Sequence, residues 1–179
     1  EQKKHRENSQ ILMVFVNIPY NLDKNLGQAY NDFMSLLGED DWGVFLDHDA
    51  MFVQRDYYKI LTEATNSEFG LLTAMTNRVG CRYQVHKIKK TNDMKVHFQY
   101  GKKVSEKKEP IEDITFKSPF SGVVIMISKK TWNKVKFRDG FLGVDNHIHR
   151  DVRDAGIRVG MIRQLYVYHW YRQDGRGHL

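Results

Sequence analysis

Two carboxylates flank an imidazole at Asp47-His48-Asp49, directly after the apolar run Trp42-Gly43-Val44-Phe45-Leu46. A short apolar run that stops on acids reads as a buried strand delivering them to a sheet edge. Carboxylates there cost desolvation free energy unless positive charge meets them. A hard divalent cation meets that need, because it takes oxygen ligands and can also hold substrate phosphates. Residues at i and i+2 of a regular strand point to opposite faces, so both acids reach one cation only if the chain turns at His48. Taken without other motifs, the pair equally well caps the turn that follows.

Two later residues have matching chemistry. His169 offers an imidazole nitrogen, acceptable to Mn²⁺ and less natural for Mg²⁺; the competing role is a core histidine beside Trp170 and Tyr171. Asp145 opens a predicted helix, where it suits a general base and equally an N-cap. A helix N-terminus also favours the ionised carboxylate.

The elements that must hold these groups follow from periodicity. Glu1 to Gln10 is a polar lead-in, and 11–179 is read as a single domain. Ile11 to Ile18 is a β-rich run ended by Pro19. Leu26, Ala29, Tyr30, Phe33, Met34 and Leu37 recur at helical spacing, predicting a helix over Lys24 to Leu37 that stops near Gly38. Trp42 to Leu46 is the next strand and Gln54 to Ala64 the next helix. A buried strand over Phe69 to Met75 follows. Weak alternation in Met94 to Tyr100 predicts a strand or hairpin within an irregular basic stretch, 81–119. Ser121 to Ser128 is a strand and Lys129 to Val135 a short helix. Asp145 to Ala155 is a helix stopped by Gly156, and Ile157 to Val167 is strand-rich. Strands alternating with helices imply an α/β domain with a mainly parallel sheet flanked by helices. Ligands in such sheets bind beyond the carboxyl ends of strands, where Asp47 and Asp49 stand.

Three segments in order resemble one family. Val44-Phe-Leu-Asp-His-Asp49 is similar to the DxD motif of nucleotide-sugar-dependent glycosyltransferases with the Rossmann-like GT-A fold. Phe137-Arg-Asp-Gly-Phe-Leu-Gly-Val-Asp145, followed by a helix ending at Ala155-Gly156, resembles the later acidic motif of family 2 of these enzymes. Tyr166-Val-Tyr-His169 resembles the terminal strand that returns a histidine to the metal, and Asn25-Leu26-Gly27 with Asn31 resembles the helix before DxD. The resemblance covers most of Ile11 to Arg172. It departs in two places: no second strand is visible between Tyr20 and Asn25, leaving an abbreviated N-terminal half, and Val144 stands where the family commonly has an acid.

The resemblance implies a metal-dependent transfer of a sugar from a UDP- or GDP-sugar to an acceptor hydroxyl, with a glycan as acceptor. Asp49 is then the primary ligand of Mn²⁺ (or Mg²⁺), with Asp47 beside the ribose or a metal-bound water and His169 as a further ligand. Asp145 is the base of a single inverting displacement. Pro19, Tyr20, Asn21 and Asn25 face the nucleoside. Asn77 and Arg78 reach donor phosphate or sugar, Ser121 and Gly122 admit the sugar to the backbone, and Arg172 meets diphosphate. Bland readings stand beside these: Tyr20 in a surface turn, Arg78 as a surface cation.

Composition bounds the alternatives. Over 179 residues, 41% hydrophobic and 12% aromatic content describe a folded chain. The single cysteine, Cys81, excludes an internal disulfide and zinc-finger spacing, and favours a reducing compartment. No apolar run is long enough to span a bilayer, and no secretory signal is visible at Glu1, so a cytoplasmic place is expected. The net charge of +6 gathers between Lys87 and Lys108, which suits a solvated insertion or contact with an anionic membrane surface. A phosphoesterase or nuclease using Asp47, Asp49 and His169 is one competing function. A non-catalytic nucleic-acid or anionic-surface binder, with Phe98 and Tyr100 stacking on bases, is another; the resemblance leads us to expect no nucleic acid.

Overall fold

A computed structural model of the chain describes residues 12–86 and 91–170. The elements run β1 (Val14–Asn17), α1 (Leu26–Ser35), β2 (Trp42–Leu46), β3 (Ala50–Phe52), α2 (Tyr57–Ala64), β4 (Leu71–Thr76), a short 3-10 helix (Arg82–Gln84), α3 (Met94–Ser105), β5 (Ile111–Asp113), β6 (Val124–Ser128), α4 (Lys129–Lys134), α5 (Val144–Asp154) and β7 (Val159–His169). They build one α/β domain around a seven-stranded sheet, ordered β1-β2-β6-β4-β7-β3 with β5 paired to β7.

The sheet is mixed rather than mainly parallel. Only β1 with β2 and β4 with β7 pair in parallel. β6 runs antiparallel between β2 and β4, and β3 and β5 run antiparallel to β7. The alternation of strand and helix records which segments are buried, and it is blind to the direction in which a segment enters the sheet. β2 and β4 are buried at every position, as unbroken apolar runs of inner strands must be.

Side chains alternate across the sheet into two cores. One face carries Phe45, Leu71, Met75 and Tyr166 against Tyr30 and Met34 of α1, Val104 of α3, Trp132 of α4, and Ile148 and Val152 of α5. The other carries Val44, Leu46, Leu72 and Ala74 against Ile60, Leu61 and Ala64 of α2. Helices therefore cover both faces.

The segment Met94 to Tyr100 is helical, which corrects the expected strand or hairpin. Asp93 caps α3 by accepting the Lys95 N–H at 2.9 Å, and His97, Gly101 and Val104 form its buried face. Over a few residues, alternation and helical spacing place apolar groups alike, so the cap decides. Tyr100 packs edge-on to Tyr166, with ring centres 6.0 Å apart, so of the two aromatics expected to stack on bases only Phe98 is exposed. β3 and β5, three residues each, had no signal in the sequence. Lys87, Lys89, Lys90 and the lead-in 1–10 lie outside the described residues. Among the described residues no helix is long and apolar enough to cross a membrane.

The directions of the strands decide where chemistry gathers. β1, β2, β4 and β7 share one direction. Asp47, Asn77 and His169 therefore arrive at one edge, and β6, running the other way, starts there just after Ser121-Gly122.

Candidate active site

The chain turns where the two acids require it. The Asp47 N–H donates to the Val123 carbonyl at 3.1 Å, extending β2 by one bond, and the Ala50 N–H then closes a turn onto the Asp47 carbonyl at 3.1 Å. β3 begins at once, with Ala50 opposite His169, and the Trp170 N–H donates to the Asp49 carbonyl at 2.8 Å. The acids that a regular strand would hold apart thus converge with His169. One ligand atom from each of Asp47, Asp49 and His169 lies within 4.8 Å of the others, the one such cluster among the described residues. His48 is exposed and stands outside it.

His169 is oriented as a ligand would be. Its Nδ1 lies 2.7 Å from the Arg78 carbonyl, which can only accept, so Nδ1 carries the proton. In the neutral ring the lone pair is then on Nε2, 3.2 Å from Asp49 Oδ1. A carbonyl behind the far nitrogen is the usual partner of a metal-binding imidazole. Asn77 fixes the backbone below the ring: its Oδ1 accepts the His169 N–H at 2.7 Å and its Nδ2 donates to the His169 carbonyl at 2.9 Å.

Burial pushes the Asp47 carboxyl up to about 6; His169 and His48 pull it down, while Asp49 and Asp145 push it further up. Two carboxylate oxygens and one imidazole nitrogen form a donor set that Mn²⁺ accepts well and Mg²⁺ less well.

Asp145 lies across a cavity of about 240 Å³ that it shares with Asp47, lined also by Leu26, Tyr30, Gly122, Phe141 and Leu142. It sits in the first turn of α5, whose N-cap is Gly143 at φ 73°. Asp145 is therefore not the N-cap. Its Oδ2 accepts the Gly122 N–H at 2.8 Å and its Oδ1 the Asn146 N–H at 2.8 Å. A Cβ on Gly122 would stand 2.9 Å from Asp145 Cβ, so the glycine is needed for this approach. Val144 is buried in the core. The same carboxylates, after burial, raise the Tyr30 hydroxyl's pKa.

Pro19, Tyr20 and Asn21 follow β1, at the same end of the sheet as the turn after β2. Tyr20 is 80% exposed, while Asn21 Oδ1 accepts the N–H groups of Asp23 and Asn25 to shape the turn. Asn25 caps α1 through the Gln28 N–H and ties down Gly140, both at 3.0 Å. Arg78 borders the cluster, with Nη2 3.5 Å from His169 Nε2. Ser121 is held by Gln84, whose Oε1 accepts its N–H at 2.6 Å and whose Nε2 donates to its carbonyl at 3.1 Å. Arg172 lies outside the described residues. Reading the sequence missed the cavity wall made by Tyr30, Phe141 and Leu142, and it missed Gln84, an amide in a stretch without periodicity.

Two larger cavities, of about 350 and 440 Å³, lie elsewhere, and neither is lined by a histidine. His149 is structural: Nε2 donates to the Thr115 carbonyl, Nδ1 accepts the Phe120 N–H, both at 3.3 Å, and burial lowers its pKa. No protein-family model and no curated protein matches the chain.

Proposed function

We propose that the protein is a metal-dependent glycosyltransferase that moves a sugar from a nucleoside diphosphate sugar to an acceptor hydroxyl. One observation carries the reading: Asp47, Asp49 and His169 converge at one sheet edge, and Asp145 faces Asp47 across a cavity there. Asp49, Asp47 and His169 would hold the cation. When bound it supplies Lewis-acid stabilisation of the charge that develops on the departing diphosphate.

The chain's own residues supply the rest. Asp145 takes the proton from the acceptor hydroxyl as that oxygen attacks the anomeric carbon, giving inversion in a single displacement. The Gly122 N–H on Oδ2 holds the carboxylate toward the cavity. Arg78, beside His169, is placed to meet donor phosphate. Tyr20, exposed beyond β1, offers a ring for the base of a UDP- or GDP-sugar. The apolar rings and chains of Phe141 and Leu142 line the acceptor side, where a glycan hydroxyl would enter. Exposed Lys95, Phe98, Lys102 and Lys103 on α3 support peripheral contact with an anionic membrane surface.

A thermal-shift panel of nucleoside diphosphates and their sugars, with and without Mn²⁺, tests the reading. The expected result is a Mn²⁺-dependent shift with one nucleotide class, and transfer that Asp145→Asn abolishes while nucleotide and Mn²⁺ affinity stay near wild type. Nucleotide hydrolysis that needs no acceptor and survives in Asp145→Asn would replace this reading with a phosphoesterase.

A further inference from the structure

The segment from the end of β4 through the 3-10 helix touches both halves of the site. It leaves the sheet at Thr76 and returns through a Thr76–Val85 bridge, where the His86 N–H donates to the Thr76 carbonyl at 2.9 Å. Each end of this closed loop carries a buried amide. Asn77 is 5% exposed and Gln84 is fully buried. Each amide pairs with both backbone groups of one residue elsewhere: Asn77 with His169, Gln84 with Ser121.

Each clamp has a second bond from the same loop. Beside Asn77, the Arg78 carbonyl takes the His169 Nδ1–H at 2.7 Å. Before Gln84, the Cys81 N–H donates to Ser121 Oγ at 3.2 Å. Gln84 Nε2 also lies 3.0 Å from Thr73 Oγ1, which in turn donates to the Val124 carbonyl at 2.8 Å, so this clamp is anchored in the sheet. Beyond Ser121 the next residue is Gly122, whose N–H holds Asp145 Oδ2.

We propose that Asn77 and Gln84 are separate positioning residues within this loop: Asn77 sets His169 and with it cation binding, and Gln84 sets Ser121-Gly122 and with it the Asp145 carboxylate. Asn77 then acts behind a ligand rather than on the donor, because both polar atoms of its amide are committed to the His169 backbone. A buried amide that replaces two backbone partners is costly to remove, since both partners are left without a bond. The loss therefore falls on the half of the site that each amide holds. The assignment of Asp145 as base rests on the glycosyltransferase reading; the clamps themselves do not.

The experiment compares wild type with Asn77→Leu and Gln84→Met, using Asn77→Ser and Gln84→Ser where an apolar variant fails to fold. Mn²⁺ affinity is measured by electron paramagnetic resonance titration. Exchange of the Gly122 N–H is followed by NMR, and kcat and KM by transfer assay. Asn77→Leu should weaken Mn²⁺ binding by about 10-fold or more, the usual effect of losing a partner behind a metal ligand, and leave Gly122 protection intact. Gln84→Met should leave Mn²⁺ affinity intact, speed Gly122 exchange by about 10-fold, equivalent to about 1.4 kcal/mol, and lower kcat without raising the donor KM. Both variants moving both binding and exchange alike, or neither moving either, overturns the proposal. A wild type that binds no Mn²⁺ removes the Asn77 half. A wild type that binds Mn²⁺ but transfers no sugar defeats the glycosyltransferase reading alone, because binding and exchange still decide the clamps.

Discussion

At the scale of single residues, Asp47 is a carboxylate whose burial pushes its pKa up. Its folded pKa is about 6, against 3.8 for an ordinary aspartate. The folded chain holds this proton more tightly than the unfolded chain does. Stability therefore falls as pH rises from about 4 to 6 and stays reduced above that window. Asp47→Asn should raise the stability of the cation-free protein near pH 7.5 by about 1–2 kcal/mol, a discounted value because the group is partly solvated. The gain should vanish near pH ~3, below both pKa values. Urea unfolding at the two pH values measures it, and an equal gain at both would mean that Asp47 ionises freely. By the same linkage, cation affinity of the wild type should rise as pH increases through about 6.

At the scale of elements, the close contact between the segment before β6 and the first turn of α5 holds the Asp145 carboxylate. Gly122→Ala would place a methyl 2.9 Å from Asp145 Cβ. Either α5 or the 121–122 segment must shift, which costs about 1–3 kcal/mol. The expected outcome is a lower urea midpoint and a fall in transfer, with Mn²⁺ affinity little changed because His169, Asp47 and Asp49 sit on other elements. Loss of Mn²⁺ binding in this variant would show that the two halves are not mechanically separate. A second element-level contact is the loop before α5. A Cβ on Gly27 would stand 1.9 Å from the Arg138 carbonyl oxygen, and Arg138 itself makes two bonds of 2.6 and 2.7 Å to Asp151. These contacts tie α1 and α5 to the loop that carries Phe141 and Leu142.

At the scale of the whole molecule, a cation held as proposed would link binding to folding, because Asp47 and Asp49 come from the turn after β2 and His169 from β7, far apart in sequence. Mn²⁺ at about 100 times its Kd should stabilise the fold by about 2.7 kcal/mol. For a chain of this size that is a rise in Tm of about 5–10 °C. Chelation should reverse the rise, and Asp49→Asn should abolish it in a calorimetric scan. An unchanged rise in Asp49→Asn would place the cation elsewhere.

The sequence by itself pointed to Asp47, Asp49 and His169, which the fold brings together, and to most of the elements. Trp42 to Leu46 is a strand with the limits that its apolar run sets, α1 follows the spacing of Leu26, Tyr30, Phe33 and Met34, and Gly156 at φ 73° follows the helix that carries Asp145. These features were legible because burial leaves a periodic trace along the chain. The tertiary structure decided what that trace omits. It set β6 antiparallel between β2 and β4, which brings Ser121-Gly122 to the edge that holds the acids. It made Met94 to Tyr100 a helix, moved the N-cap from Asp145 to Gly143, and turned Asn77 and Gln84 into partners of backbone groups remote in sequence. Strand direction and amide pairing depend on what lies opposite a residue in space, and neither leaves a period in the sequence.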